Sequence, residues 1–376
     1  MTDSDAAYAV DPERMTSRPH RRPRTLSARM TMLALPLLVG ALGACSPGYV
    51  LRGAWEEGKI LARRRPIVQV IADRRTTPET RRKLELVLTA RDFARDSLGL
   101  RTGESYTLYS EKKSDTLATV LSAAYKDQFR AKTWWFPIVG SVPYKGFFQE
   151  EDARREAAKL EAQGFDTYMR PTSAFSTLGW FNDPVLSTLL RYDSVSLGNT
   201  VIHELVHNTY FAPGKISFNE SLANFVGGRG AIALFCGRDG PDAPTCTRAR
   251  QEWDDDLVFG FFMGELIHDL ESLYARTDIT REQKLALRDE VFARAQRQFE
   301  QEVRPRLKAT SFSSFVRDPL NNATLISRRL YYDRLDLFER VYDRRGGDLR
   351  GTIAAIIAAA RANKSDPFAG VEGLLR

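Results

Sequence analysis

Apolar residues recur at helical spacing over much of the chain, most clearly at Leu84, Val87, Leu88, Ala94 and Leu98. Thr77-Pro78 opens that run as a cap followed by proline at the first helical position, and Gly99 stops it. Residues 106–109 and 133–139 switch to aromatic and β-branched types bounded by Gly or Pro, which predicts strands. A polar helix is expected over 150–163, halted by Gly164, with a strand over 165–170. Strand, helix, strand in that order predicts a small α+β unit within 134–172. A further strand at the sheet edge is expected over 174–181, where an extended peptide can add as another strand; core packing of its aromatics is the other reading.

The C-terminal half reads as helical. Residues 253–275 carry Phe259, Phe261, Phe262, Leu266 and Ile267 nearly all round their middle, which predicts a buried helix. Thr280-x-x-Gln283 matches a capping box opening a long polar helix to Val303, ahead of Pro305. Later helices are expected over 321–342 and 349–362. The expected architecture is therefore α+β and mainly helical, with one small sheet.

Chemistry enters at His203-Glu204-Leu205-Val206-His207. Residues four apart lie one turn above each other on a helix, so both imidazoles can face one metal ion. The chain has four histidines, and two of them stand here. Zinc at such a site activates water near neutral pH and polarises a scissile carbonyl, while Glu204 takes a proton from water and passes it to the leaving amine. A catalytic zinc takes three protein ligands. After a turn at Ala212-Pro213-Gly214-Lys215, a second helix brings Glu220 as the candidate third ligand and Asn224, one turn on, as a hydrogen-bond acceptor orienting a histidine. Ser217-x-x-Glu220 also fits a capping box, in which Glu220 only satisfies a backbone donor. Tyr331 and Tyr332 are candidates for the phenol that stabilises the oxyanion, and periodicity does not choose between them.

Several segments extend the motif: 135–148 (Trp-Phe-Pro-Ile-Val-Gly-Ser-Val-Pro-Tyr-Lys-Gly-Phe-Phe), 174–187 (Ala-Phe-Ser-Thr-Leu-Gly-Trp-Phe-Asn-Asp-Pro-Val-Leu-Ser), Phe218-Asn219-Glu220-Ser221-Leu222-Ala223 and Asn321-Asn322-Ala323. On these residues the chain resembles the bacterial lipoproteins described as predicted aminopeptidases, among the gluzincin-type zinc peptidases with two His and a Glu as ligands. The resemblance implies a zincin-like domain with its sheet beside the histidine helix, a Zn2+ cofactor and a peptide substrate with a free amino end. The gap from His207 to Glu220 is short compared with thermolysin-like enzymes, and no Gly-x-Met-Glu-Asn segment is present, so substrate-binding residues do not carry over from the large aminopeptidases. An endopeptidase acting on envelope proteins or peptidoglycan peptides, and a non-catalytic zinc-binding envelope lipoprotein, remain as alternatives.

Compartment follows from the N-terminus. Arg18, Arg21, Arg22, Arg24 and Arg29 precede an apolar run over 30–42 that is short for a membrane span. Leu42-Gly43-Ala44-Cys45 resembles a lipobox, in which Cys45 becomes the acylated first residue; Ser46 after it favours the outer membrane, facing the periplasm. The expected organisation is a signal peptide over 1–44, with Met15 as a plausible start, a tether over 45–66 and one peptidase domain over 67–376. Acylation leaves Cys236 and Cys246, which a turn-rich loop separates and an oxidising compartment favours as a disulfide. Without residues 1–44 the chain carries 49 basic and 44 acidic residues, mixed along its helices with no basic stripe. Nucleic-acid binding is not indicated, and no protein partner can be inferred.

Overall fold

The computed structural model describes residues 64–111, 118–136, 140–172 and 183–376. All of them fall within one compact unit, which is α+β and about 64% helical with small sheets. The expected signal peptide, the lipobox with Cys45, most of the tether and the 174–181 strand lie outside the described residues.

The elements follow from local chemistry. β1 (Arg65–Pro66) leads into α1 (Ile67–Ala72), and α2 (Pro78–Asp96) begins where Thr77 caps it by accepting from the Thr80 N–H. Leu84, Val87, Ala90 and Ala94 form its buried stripe, and Gly99 turns the chain at φ +73°. β2 (Leu108–Ser110) is shorter than expected and displaced towards Ser110, because Tyr106 has a positive φ of 63° that no strand accommodates.

Next come β3 (Ala118–Tyr125), β4 (Trp134–Phe136), β5 (Gly140–Val142), β6 (Tyr144–Phe147), α3 (Glu150–Ala162), β7 (Phe165–Thr172) and β8 (Val185–Leu186). β3 runs between β6 and β7, antiparallel to both, as the centre of the main sheet. Pattern reading misses it for a physical reason. α3 packs on the sheet from one side, while Ala323 and Ile326 meet Ala124 on the other, so Leu121–Ala124 are buried in succession and show no alternation. β4 and β5 pair as a separate hairpin, and β8 runs parallel to β2 with β1 on its far side.

The helical body comprises α4 (Ser194–Thr209), α5 (Ile216–Asp239), α6 (Pro244–Ala275), α7 (Arg281–Gln298), α8 (Ser314–Arg317), α9 (Asn322–Tyr332), α10 (Leu335–Arg344), α11 (Leu349–Ala362) and α12 (Pro367–Glu372). α2, α4, α5, α10 and α11 share one apolar core; a second, rich in phenylalanine, lies between α6, α7 and α9 around Phe259, Phe262, Phe299 and Phe315. α5 and α6 approach closely at Gly228, whose missing side chain leaves room for the Trp253 ring.

The Thr280–Gln283 capping box forms as expected. Three expectations change. The 281–303 helix gives way to a wider π-turn at Phe299–Val303 before Pro305. The 321–342 segment breaks into α9 and α10 at Arg334, which has φ +57°, while the Asp333 N–H leaves the helical ladder for the Ser221 hydroxyl. Phe261 is not buried: it is 68% exposed on the outer side of α6. Among the described residues no helix is long and apolar enough to cross a membrane.

Candidate metal centre

α4 and α5 build the centre. Asp193 caps α4 by accepting from the Val195 and Ser196 N–H groups, and Val195, Leu197, Val201, Ile202, Leu205 and Val206 fix its buried face in the core. The opposite face presents His203 and His207, one turn apart, with ring centroids separated by 5.2 Å. The chain then reverses through 210–215. Asn219 holds this turn with both ends of its amide: Oδ1 accepts from Ala212 N–H and Nδ2 donates to Ala212 C=O, each at 2.9 Å.

α5 therefore returns over the histidine face and delivers Glu220. Its Oε2 lies 3.4 Å from His203 Nε2 and 3.8 Å from His207 Nε2. The capping-box reading of Glu220 finds no support in this geometry. α5 starts at Ile216, shows no side-chain cap, and the Ser217 hydroxyl donates to Asp333 at 2.7 Å.

One donor atom from each of His203, His207 and Glu220 lies within 4.8 Å of the others, a group that can hold a metal ion. The protonation states of His207 and Glu220 suit that role, since a metal binds the neutral imidazole and the ionised carboxylate. Burial pushes His207 down to about 4 against the pull of Glu220, so its ring is neutral at pH 7. Burial also opposes charge on Glu220, but His207, His203 and Arg170 outweigh it and keep the carboxyl below its ordinary range. For His203, burial is outweighed by the hydrogen bond to Glu220 and the charges of Glu204 and Glu220, which raise it. Glu204 moves the other way. Burial, aided by Glu220 and Asp183 and opposed by His203, lifts its carboxyl to about 7.

The main sheet supplies the facing wall. Pairing sets Gly146, Val120 and Arg170 in one row and Tyr144, Ser122 and Tyr168 in another, all on one face because side chains alternate with period two. Tyr144, Arg170 and Val120 from that face line a cleft of about 740 Å³ together with His203, Glu204, His207 and Glu220. α9 closes the cleft's third side. Its C-terminal end is held on α5 by Ser221, which donates to Leu330 C=O, and by Asn224, which donates to Tyr331 C=O at 3.0 Å.

Asn224, expected to accept from a histidine, holds α9 through that bond, and among the described residues no bond from it to a histidine is seen. The His207 Nδ1 is buried with no hydrogen-bond partner among the described residues. The two tyrosines also separate. Tyr331 has its ring 6.2 Å from that of His203, and its hydroxyl accepts from Arg170 at 2.8 Å. Tyr332 borders the cleft, but its ring packs edge-on against Phe259 at 5.0 Å, towards the phenylalanine-rich core. Burial raises the Tyr331 phenol to about 12, with Arg170 opposing, so it keeps its proton at neutral pH.

A family model described as "Putative aminopeptidase" matches residues 48–367. The chain belongs to this family. The match takes in the main sheet, both helices of the His-His-Glu group and α9, so the putative-aminopeptidase family spans the whole cleft. No curated protein and no solved structure matches the chain.

Two cleft residues escape the sequence reading. Tyr144 stands in the 135–148 segment with no role legible there, and Arg170 is one arginine among many; only the strand register of β3, which the hydrophobic pattern also hides, puts both in the cleft with Glu220. Away from the cleft, Cys236 near the end of α5 is joined to Cys246 in the first turn of α6 by a disulfide.

Proposed function

We propose that this protein is a zinc-dependent aminopeptidase that removes N-terminal residues from short peptides. The observation that carries the reading is the convergence of His203 Nε2, His207 Nε2 and Glu220 Oε2 beside the carboxyl of Glu204, in a chain of an aminopeptidase family. His203, His207 and Glu220 hold the ion, and zinc, when bound, supplies Lewis acidity towards the peptide carbonyl and water. Glu204, with a carboxyl near 7, accepts a proton from water at its carboxylate oxygen and returns it to the leaving nitrogen; a group poised near the working pH does both. Tyr331 donates its hydroxyl hydrogen to the oxygen that gains charge. That hydrogen is free because Arg170 donates to the phenol oxygen and leaves the proton uncommitted.

The reading extends to the compartment: a lipid on Cys45 anchors the protein in the outer membrane, facing the periplasm. Labelled-lipid incorporation that Cys45→Ala abolishes supports this, and a freely soluble mature protein sinks it.

Glu204→Gln tests the chemistry. Elemental analysis should find one zinc per chain in wild type and variant alike, with turnover of aminoacyl substrates lost only in the variant, by about 100-fold or more. Unchanged turnover removes the proposed mechanism, and equal cleavage of N-blocked peptides removes the requirement for a free amino end.

A further inference from the structure

Arg170 is the one cationic side chain among the described residues lining the cleft. It is mostly buried, yet it makes no ion pair among the described residues. Of its five N–H donors, one reaches the Tyr331 hydroxyl at 2.8 Å, and its buried Nε has no hydrogen-bond partner among the described residues. The strand register explains why: its neighbours across the sheet are Val120 and Gly146, neither of which carries a charge. A buried guanidinium with so few partners is costly unless something else completes it, and a planar carboxylate matches its fork of donors.

Given the peptidase reading on which this rests, we infer that Arg170 is the anchor for the substrate's C-terminal carboxylate, which restricts the enzyme to di- and tripeptides. The distances set that length. The Arg170 guanidinium lies 5.5 Å from the Tyr331 ring centre, which in turn lies 6.2 Å from the His203 ring. Arg170 is thus one side chain removed from the metal ligands, and an extended peptide covers roughly 3.3–3.6 Å per residue. A carboxylate held there belongs to a chain that ends one or two residues beyond the scissile bond. A longer peptide would have to place an uncharged peptide group against the guanidinium.

The test compares a dipeptide, its C-terminal amide, and an amide with an acidic second side chain, on full-length zinc-loaded wild type, Arg170→Gln, Arg170→Lys and Tyr331→Phe. The free acid should show a KM about 10- to 100-fold below that of the amide in wild type, the range of a charge-assisted hydrogen-bond pair. Arg170→Gln should erase the difference and Arg170→Lys recover part of it. Tyr331→Phe should lower kcat yet keep the preference, which separates a carboxylate anchor from a residue that only positions the phenol. Calorimetry of the dipeptide with metal-free protein gives a readout independent of turnover: binding weakened to the same degree by Arg170→Gln supports the anchor even if no substrate is hydrolysed, an outcome that would count against the peptidase reading alone. Equal KM for acid and amide in wild type, or a preference that survives Arg170→Gln, overturns the anchor and leaves the peptidase reading standing. An acidic side chain that fully replaces the free end overturns the terminal assignment.

Discussion

Asp166→Ala should destabilise the protein by about 3 kcal/mol or more while leaving its grip on metal intact. Asp166 is 6% exposed on β7 and accepts from both terminal nitrogens of Arg288, at 2.7 and 3.3 Å, and from the Asn322 N–H at 3.1 Å. Truncation strands a largely buried guanidinium, a loss of about 1.5–3 kcal/mol for its charged bonds, and orphans a backbone donor at about 1–3 kcal/mol more. Asp289 reaches the Arg288 Nε at 3.4 Å, but it is 72% exposed and screened, so it offsets little. Thermal unfolding should show a midpoint lowered by roughly 6–12 °C, at 2–4 °C per kcal/mol. The double variant Asp166→Leu with Arg288→Met should restore the share that comes from the unpaired guanidinium, while the Asn322 N–H still lacks its acceptor. Metal affinity should stay within a few-fold, since His203, His207 and Glu220 stand on α4 and α5. Turnover should fall, because the Asp166 network joins the strand carrying Arg170 to the first turn of the helix carrying Tyr331. A loss below 1 kcal/mol, or a collapse of metal binding together with stability, would refute this account of how the wall is held.

Glu220→Ala should lower zinc affinity by more than the roughly 100-fold typical of losing a partner behind a ligand, as read by competition with a chromophoric chelator. Tyr331→Phe should cost about 100-fold in kcat and Tyr332→Phe only a few-fold; the reverse order in steady-state kinetics would exchange their roles. Gly228→Ala brings a methyl to 2.3 Å from the Trp253 ring, whose indole N–H is already held by Glu339. An overpacking cost of about 1–3 kcal/mol exceeds the gain of about 1 kcal/mol in helix propensity, so denaturant titration should show a net loss. Burial, with Glu252 and Asp255, lifts the Asp256 carboxyl to about 8. An acid whose folded pKa is raised stabilises the fold at low pH and loses that contribution as pH climbs from about 4 to about 8, so Asp256→Asn should flatten the stability–pH curve in that window. An unchanged curve would show that Asp256 is ionised in the fold.

The sequence is most legible where structure is local. Thr77-Pro78, Gly99 and the Thr280–Gln283 box act within one turn of chain, and His203, Glu204 and His207 sit within a single helix. Glu220 stays ambiguous on spacing because a cap and a ligand ask for the same residue type; the geometry favours the ligand reading only through the position of Asn219 in the turn. β3 is hidden by helices on both sides, and with it goes the register that brings Tyr144 and Arg170 to the cleft. Phe261 is misplaced because an apolar run on one helix does not say which side lacks a neighbour. Asn321 and Asn322 draw notice as a shared segment, and their work is structural: Asn321 caps α9 and donates to Thr167 C=O, while Asn322 bonds to Tyr125 C=O and accepts from Tyr274.

The turn pinned by Asn219 has a consequence for the order of assembly. The three proposed ligands fall within residues 203–220, so bringing them together closes only a short loop at small entropic cost. Arg170 and Tyr331 reach the same place from 33 residues before and 111 residues after that segment, and must await long-range docking. Under the proposed function, a partly folded chain that has paired α4 with α5 would thus capture its ion while still inert, with catalysis switched on last.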